Sequence, residues 1–236
     1  MFVEKGGPVT DLIDIFLQPA AVLARLRDRP TWLLPALLLC GVTAAGVFLY
    51  FTQVDIEWFM DQALAQSDAE LSAAELEAAR KSIPDANFLA WSSSLGGAFG
   101  FLFVLLIMGL YYLLAGKVTG LAVSFRQGFS LACWSAMPAL LGSLLLFVGL
   151  AGMAPQTSLE SLFLANLDPM LLRLPPDSPW KRFATSFSFL ALWTVFLAAL
   201  GWKIWSRAAG WGAALVVAAL PSVLIYGAMI VPALVN

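Results

Sequence analysis

FGFLFVLLIMGLYYLLA, residues 99–115, carries no charge and almost no hydrogen-bonding side chain. A helix rises ~1.5 Å per residue, so this run with its flanks can cross the ~30 Å hydrocarbon layer of a bilayer. It lies in a longer silence. No acidic residue occurs between Asn87 and Leu159, none occurs from Ser178 to Asn236, and the chain contains no histidine. Residues 140–154 are again almost wholly apolar. A chain that is 61% hydrophobic and only 12% charged cannot cover itself in water, so its solvent is lipid.

Working outward, five segments are long and apolar enough to span: 31–52, 88–115, 129–154, 183–205 and 211–234. The expected fold is all-α, a polytopic transmembrane bundle of five spans (residues 31–236) preceded by an N-terminal interfacial amphipathic helix within residues 1–30. External loops fall at about 53–87 and 155–182. Asp11, Asp14 and Asp28 interrupt the first thirty residues where a cleavable signal would keep an apolar core, so the first span is expected to stay in the membrane. Basic residues set the orientation. Lys5, Arg25, Arg27, Arg29, Lys117, Arg126, Lys203 and Arg207 fall at one end; Arg80, Lys81, Arg173, Lys181 and Arg182 fall at the other. The positive-inside bias puts the N-terminus in the cytoplasm and the C-terminus outside. A net charge of −2 gives no reason to expect a nucleic-acid partner.

Residues 10–29 read as one helix lying on the membrane, capped by Thr10, with Leu12, Phe16, Leu23 and Leu26 at near-helical spacing and a bend at Pro19. Arg25, Arg27 and Arg29 would meet lipid headgroups before Pro30 turns the chain inward; an ordinary basic flank explains them as well. In the first long loop, Ser67 with Glu70 and Ser72 with Glu75 have capping-box spacing, and Glu77 and Lys81 sit four apart. The second loop is oily at Leu162, Phe163, Leu167, Met170 and Leu171, which suits the lipid interface. Trp32, Tyr50, Trp91, Tyr111, Tyr112, Trp180, Trp202, Trp205 and Trp211 fall near span ends, as headgroup aromatics would. Trp193 is mid-span and needs a partner inside.

Small residues recur four apart: Ser92, Gly96 and Gly100; Ser135, Ala139 and Ser143; Ala214, Ala218 and Ser222. Such rows let helix backbones approach, either within one bundle or across a homo-oligomer. Pro138 and Pro221 each delete a backbone donor inside a span, which bends a helix or, in transporters, breaks it at a substrate site. Cys40 and Cys133 read as small apolar fillers. The loop 116–128 gathers Lys117, Ser124, Arg126 and Gln127, a docking point for a partner or lipid phosphate, or a plain basic hairpin.

The chemistry available is narrow. No span holds an ionisable group away from its ends, so no proton or ion relay is expected. Without histidine there is no Ser–His pair and no helical zinc motif, and no phosphate-cradling glycine loop occurs. No enzyme activity, metal or cofactor is expected.

Phe16-Leu17-Gln18-Pro19, then a basic run, then Trp32-Leu33-Leu34-Pro35 resembles the start of bacterial members of the Yip (Ypt/Rab-interacting protein) family. Tyr111-Tyr112-Leu113-Leu114, a short Gly/Lys loop, Ser124-Phe125-Arg126-Gln127 and Met137-Pro138 are similar to that family's middle. The resemblance implies a five-helix membrane protein that acts by binding. The long polar N-terminus and the Tyr-Gly-Pro motif of eukaryotic members are absent, so their Rab binding is not carried over. The expectation is a non-enzymatic membrane scaffold or assembly factor that contacts membrane lipids and a protein partner through Arg25, Arg27, Arg29, Lys117 and Arg126. Its rival is a permease or channel-like subunit for a neutral or lipidic solute. There Pro138 and Pro221 would be hinges of a cavity lined by Ser135, Ser143, Ser188 and Trp193.

Overall fold

The computed structural model describes residues 7–65, 84–206 and 210–235. The capping-box pairs of residues 67–75, the Glu77–Lys81 pair, Lys5, Arg80 and Arg207 lie outside them. The described chain is helical, with two short helices before the first span, α1 (Pro8–Leu17) and α2 (Pro19–Asp28). The break that sequence placed as a bend at Pro19 is a true interruption. Gln18 leaves helical geometry (φ −137°), because a residue before proline is pushed out of the α region, and Pro19 then starts the next helix. Thr10 is not the cap. Gly7 holds that position, and the Thr10 hydroxyl closes the turn with the Gly7 N–H and C=O, both at 2.8 Å.

The two halves of this hairpin do different things. α1 turns Val9, Ile13 and Leu17 outward, one apolar row at four-residue spacing, as an interfacial helix should. α2 packs inward: Val22, Leu23 and Leu26 are buried in the main core with Leu131, Ala198 and Trp202.

The spans are α3 (Leu33–Phe51), α5 (Ala86–Thr119), the pair α6 (Phe125–Ser135) and α7 (Ala139–Ala151), α9 (Phe189–Ser206) and α10 (Trp211–Val235). α4 (Ile56–Ala65) follows the first span, and α8 (Lys181–Ser186) precedes the fourth. Among the described residues five helical units are long and apolar enough to cross a membrane. α5 is capped by the Asp85 carboxylate, which accepts from Asn87 N–H (3.1 Å), and ends at Gly120 in the left-handed region (φ 74°). Span four, expected to start at residue 183, starts at Phe189: α8 stops at Ser186, and Phe187 is extended before α9 begins.

Span contact rests on glycines that the four-residue rows missed. At Gly128 of α6 a Cβ would lie 2.6 Å from the Gly109 carbonyl oxygen of α5, so only two glycines let these backbones meet. The row Ser92, Gly96, Gly100 points the other way. All three are exposed, and a Cβ on Gly96 or Gly100 would find nothing within 4 Å. Packing within the bundle is therefore not their work. Ala214 and Ala218 do pack, at 0% and 2% exposure.

The two span prolines resolve differently. Pro138 splits the third span: residues 136–138 form a tight turn in which Met137 N–H reaches the Trp134 carbonyl (3.3 Å) and a new helix starts at Ala139. Pro221 stays inside a continuous α10. Its missing N–H leaves the Val217 carbonyl, four residues earlier, without its helical donor, and the Tyr111 hydroxyl of α5 donates to that oxygen at 2.6 Å. Several aromatics read as headgroup anchors are likewise internal. Tyr50, Tyr112, Trp202 and Trp205 are fully buried within the protein.

Candidate functional site

Two places gather polar groups: the end of the bundle that carries the N-terminus, called here the basic end, and a cavity half-way along the spans.

At the basic end the fold consumes most of the polarity. The last turns of α2 and the link to span one expose carbonyls, and neighbouring spans supply their donors. The Gln127 carboxamide donates to Arg27 C=O (2.6 Å), while the Ser130 hydroxyl and the Trp134 indole N–H both donate to Thr31 C=O at 2.7 Å. The Trp205 indole N–H donates to Leu23 C=O (2.8 Å), and the Arg27 guanidinium donates to Trp205 C=O at the C-terminal end of α9, where a cation is favoured. Arg25 pairs with Asp11, with Asp14 at 3.8 Å. Thus Arg25 and Arg27, expected to meet headgroups, make their polar contacts inside the protein. Ser124 and Gln127, read as part of a docking loop, form a reciprocal capping box for α6 (2.8 and 3.3 Å). Arg29, Lys117 and Arg126 remain exposed beside this clasp. Lys203 lies 4.4 Å over the Trp211 ring.

The cavity, about 460 Å³, lies where α3, α5, the α6–α7 break, α9 and α10 face one another. Ser135, Ala139 and Ser143 line it, so this small-residue row borders space instead of a neighbouring helix. Ser188 and Pro221 also line it, as the cavity reading expected. Trp193 does not; its ring meets Phe16 edge-on at 5.5 Å. Sequence reasoning missed Thr43, Tyr112, Asn166, Thr194, Ser222 and Tyr226 in the lining. Their signal was the hydroxyl or carboxamide itself in otherwise oily segments. Ser135 and Ser143 spend their hydroxyls on the helical carbonyls of Leu131 (2.7 Å) and Ala139 (3.3 Å). Thr43, Thr194 and Ser222 make no side-chain hydrogen bond among the described residues. Among the described residues no charged side chain lines the cavity.

Its roof comes from the segment before α9. Leu167 N–H donates to Phe187 C=O (2.8 Å) and Phe189 N–H to Ala165 C=O (3.1 Å), a short extended pair that puts Asn166 beside Ser188. The pair is anchored by Asp168, 5% exposed, whose carboxylate accepts from Lys181 Nζ (2.7 Å) and Leu174 N–H (2.8 Å). That ion pair was not anticipated. The oily loop itself is split: Met170 and Leu171 are exposed as expected for an interface, but Leu162 is buried against Gly149 and Leu150. Among the described residues no group of three or more Cys, Asp or Glu side chains could hold a metal ion.

Comparison with known proteins adds a family. The model of the Yip1 domain matches residues 13–231. A membrane protein of Bacillus subtilis (strain 168), YknW, is similar at 24% identity over 221 residues, covering 91% of this chain and 89% of its own. No solved structure gives a significant match.

Proposed function

The chain belongs to the Yip1 domain family, and on that premise we propose that it is a non-enzymatic assembly factor of a bacterial inner membrane, with its N-terminus in the cytoplasm. It works by holding lipids and a protein partner at its basic end. One observation carries the reading. That end is locked from within by Arg27, Trp205 and Gln127, yet Arg29, Lys117 and Arg126 stay exposed beside it. Cations near an anionic leaflet each contribute about 1 kcal/mol, and a rigid base holds them in fixed register for a partner's acids. The apolar row Val9, Ile13 and Leu17 adds a membrane-seated edge to the same face. A photo-crosslinker introduced at Lys117 in cells should trap one reproducible protein. The triple change Arg29→Glu, Lys117→Glu and Arg126→Glu should abolish that adduct while leaving the protein in the membrane. Identical crosslinks from the triple variant would remove the proposal.

A second reading, a permease-like subunit for an uncharged solute, is favoured by the cavity. Its lining offers hydroxyls and one carboxamide with no acid or base to drive catalysis, and its volume falls within the ~300–1,000 Å³ usual for small-molecule sites.

A further inference from the structure

The cavity opens sideways. Val104 of α5 and Ile225 of α10 both line it, yet they are 50% and 54% exposed, whereas Leu105 and Tyr112 deeper in the lining are 3% and 1% exposed. α5 and α10 share little backbone contact. Their tie is the Tyr111 hydroxyl on the Val217 carbonyl, toward the basic end. Beyond that tie the two helices leave a slot facing the hydrocarbon layer, with Val223 and Leu224 exposed on its outer flank.

What such a slot admits is decided by charge and hydrogen bonding. The lining holds no cation to pair with a phosphate and no acid to pair with an amine. A charged headgroup would be stripped of water without compensation, at a cost of several kcal/mol. The free hydroxyls of Thr43, Thr194 and Ser222 face the opposite shortage, since an unpaired hydroxyl in apolar surroundings costs roughly 1–3 kcal/mol. Ester and hydroxyl oxygens satisfy them without bringing charge. The occupant that fits both constraints, and can arrive through hydrocarbon, is an uncharged amphiphile of the bilayer itself.

We propose that the cavity is a binding site for a neutral glycerolipid of the diacylglycerol class, which enters between α5 and α10. Its glycerol oxygens lie among Thr43, Thr194 and Ser222, one acyl chain fills the apolar remainder, and the other trails through the slot past Val104 and Ile225. The site rests on the solute-cavity reading above and gives that solute a chemical class.

The test uses the full chain in phosphatidylcholine nanodiscs containing a trace of diacylglycerol with a photoactivatable chain. After irradiation, peptide mapping should find label on the cavity-facing stretches of α5, α7 and α10. Excess dioctanoylglycerol should remove that label and spare the label on outward residues such as Leu224. Val104→Phe and Ser222→Phe should each lose most of the cavity label, while Leu224→Phe keeps it. Photoactivatable phosphatidic acid with the same chains should mark only the outward surface. Cavity label that resists the competitor, or that is equal for the charged probe, overturns the proposal. Ser222→Cys in a Cys40→Ala, Cys133→Ala background separates the two layers of the argument. If a water-soluble thiol reagent modifies that cysteine while the lipid probe leaves the cavity unlabelled, the solute cavity stands and the lipid assignment falls. If neither reaches it, both fall.

Discussion

Near the basic end α5 and α6 meet backbone to backbone through Gly109 and Gly128, whereas farther along the same spans Val104, Leu105 and Met108 face the α6–α7 break across open space. The difference is one of how backbone polarity is satisfied. At the basic end, side chains from α6 and α9 donate hydrogen bonds to carbonyls of α2 and its link to span one, although Arg25 Nε and the Thr31 hydroxyl are buried there without a partner among the described residues. In the middle, Pro138 shortens one helix and the residue 165–189 pair replaces helix with extended chain, and neither brings bulk to fill the gap. Lipid gives helices no hydrophobic reason to close such a gap, so a cavity persists where Ala132, Ser135, Ala139, Gly142 and Ser143 present too little bulk to fill it.

The contrast is broken most severely at Gly128. Gly128→Ala drives a methyl to 2.6 Å from a backbone oxygen, which no rotamer change relieves. A loss of about 3 kcal/mol or more, at or beyond the upper end of ordinary overpacking, is expected in reversible unfolding from mixed micelles. Gly142→Ala, beside the cavity, meets only a Leu190 methyl at 3.2 Å and should stay within about 0.5 kcal/mol of the parent, as substitutions without a named lesion do. Equal losses at the two sites would erase the distinction between a closed end and an open middle.

Trp205→Phe comes next. It removes the indole's donation to Leu23 C=O, an oxygen that keeps its helical partner within α2, and leaves a smaller ring in a fully buried setting, a change worth about 1–3 kcal/mol by the same unfolding measurement. Tyr111→Phe should cost less, about 0.6 and at most roughly 1.7 kcal/mol, the range found for interhelical hydrogen bonds in membranes. It carries a second signature. Because Tyr111 ties α5 to α10, its loss should widen the slot and raise labelling of the cavity by the photoactivatable diacylglycerol.

How much of this was legible depended on the period being read. Long apolar runs located the five spans to within a few residues at most ends, because the thickness of hydrocarbon sets their length. Pro138 was visible as a lesion for the same reason: the missing donor is in the residue itself. What Pro221 does was not visible, since the compensating hydroxyl comes from residue 111, far away in sequence. Tyr111 and Tyr112 looked like headgroup aromatics because position along a span is readable and rotation around it is not. The same blindness put Arg25 and Arg27 among headgroups. A basic flank reads alike whether its guanidinium groups meet phosphate or the carboxylate of Asp11 and the carbonyl of Trp205. Asp168 with Lys181 shows the reverse, an ion pair that no spacing rule signals because an irregular π turn brings the two residues together.

The smallest expected effect is at Gly96, and it separates two kinds of small-residue row. Gly109 is small because another backbone lies against it; Gly96 has nothing within 4 Å of where a Cβ would stand. Gly96→Ala should therefore leave the melting temperature unchanged or raise it slightly, since alanine is favoured over glycine inside a helix by roughly 0.5–1 kcal/mol in water. A clear drop in stability would mean that the outward face of α5 is covered. The natural cover for a Ser92, Gly96, Gly100 row is the same row on a second copy, because close approach needs small residues on both sides. Single-molecule photobleaching of Gly96→Ile in nanodiscs discriminates directly. An unchanged subunit count leaves the row to lipid, and a fall from two bleaching steps to one assigns it to a homodimer while the monomer's own packing stays intact.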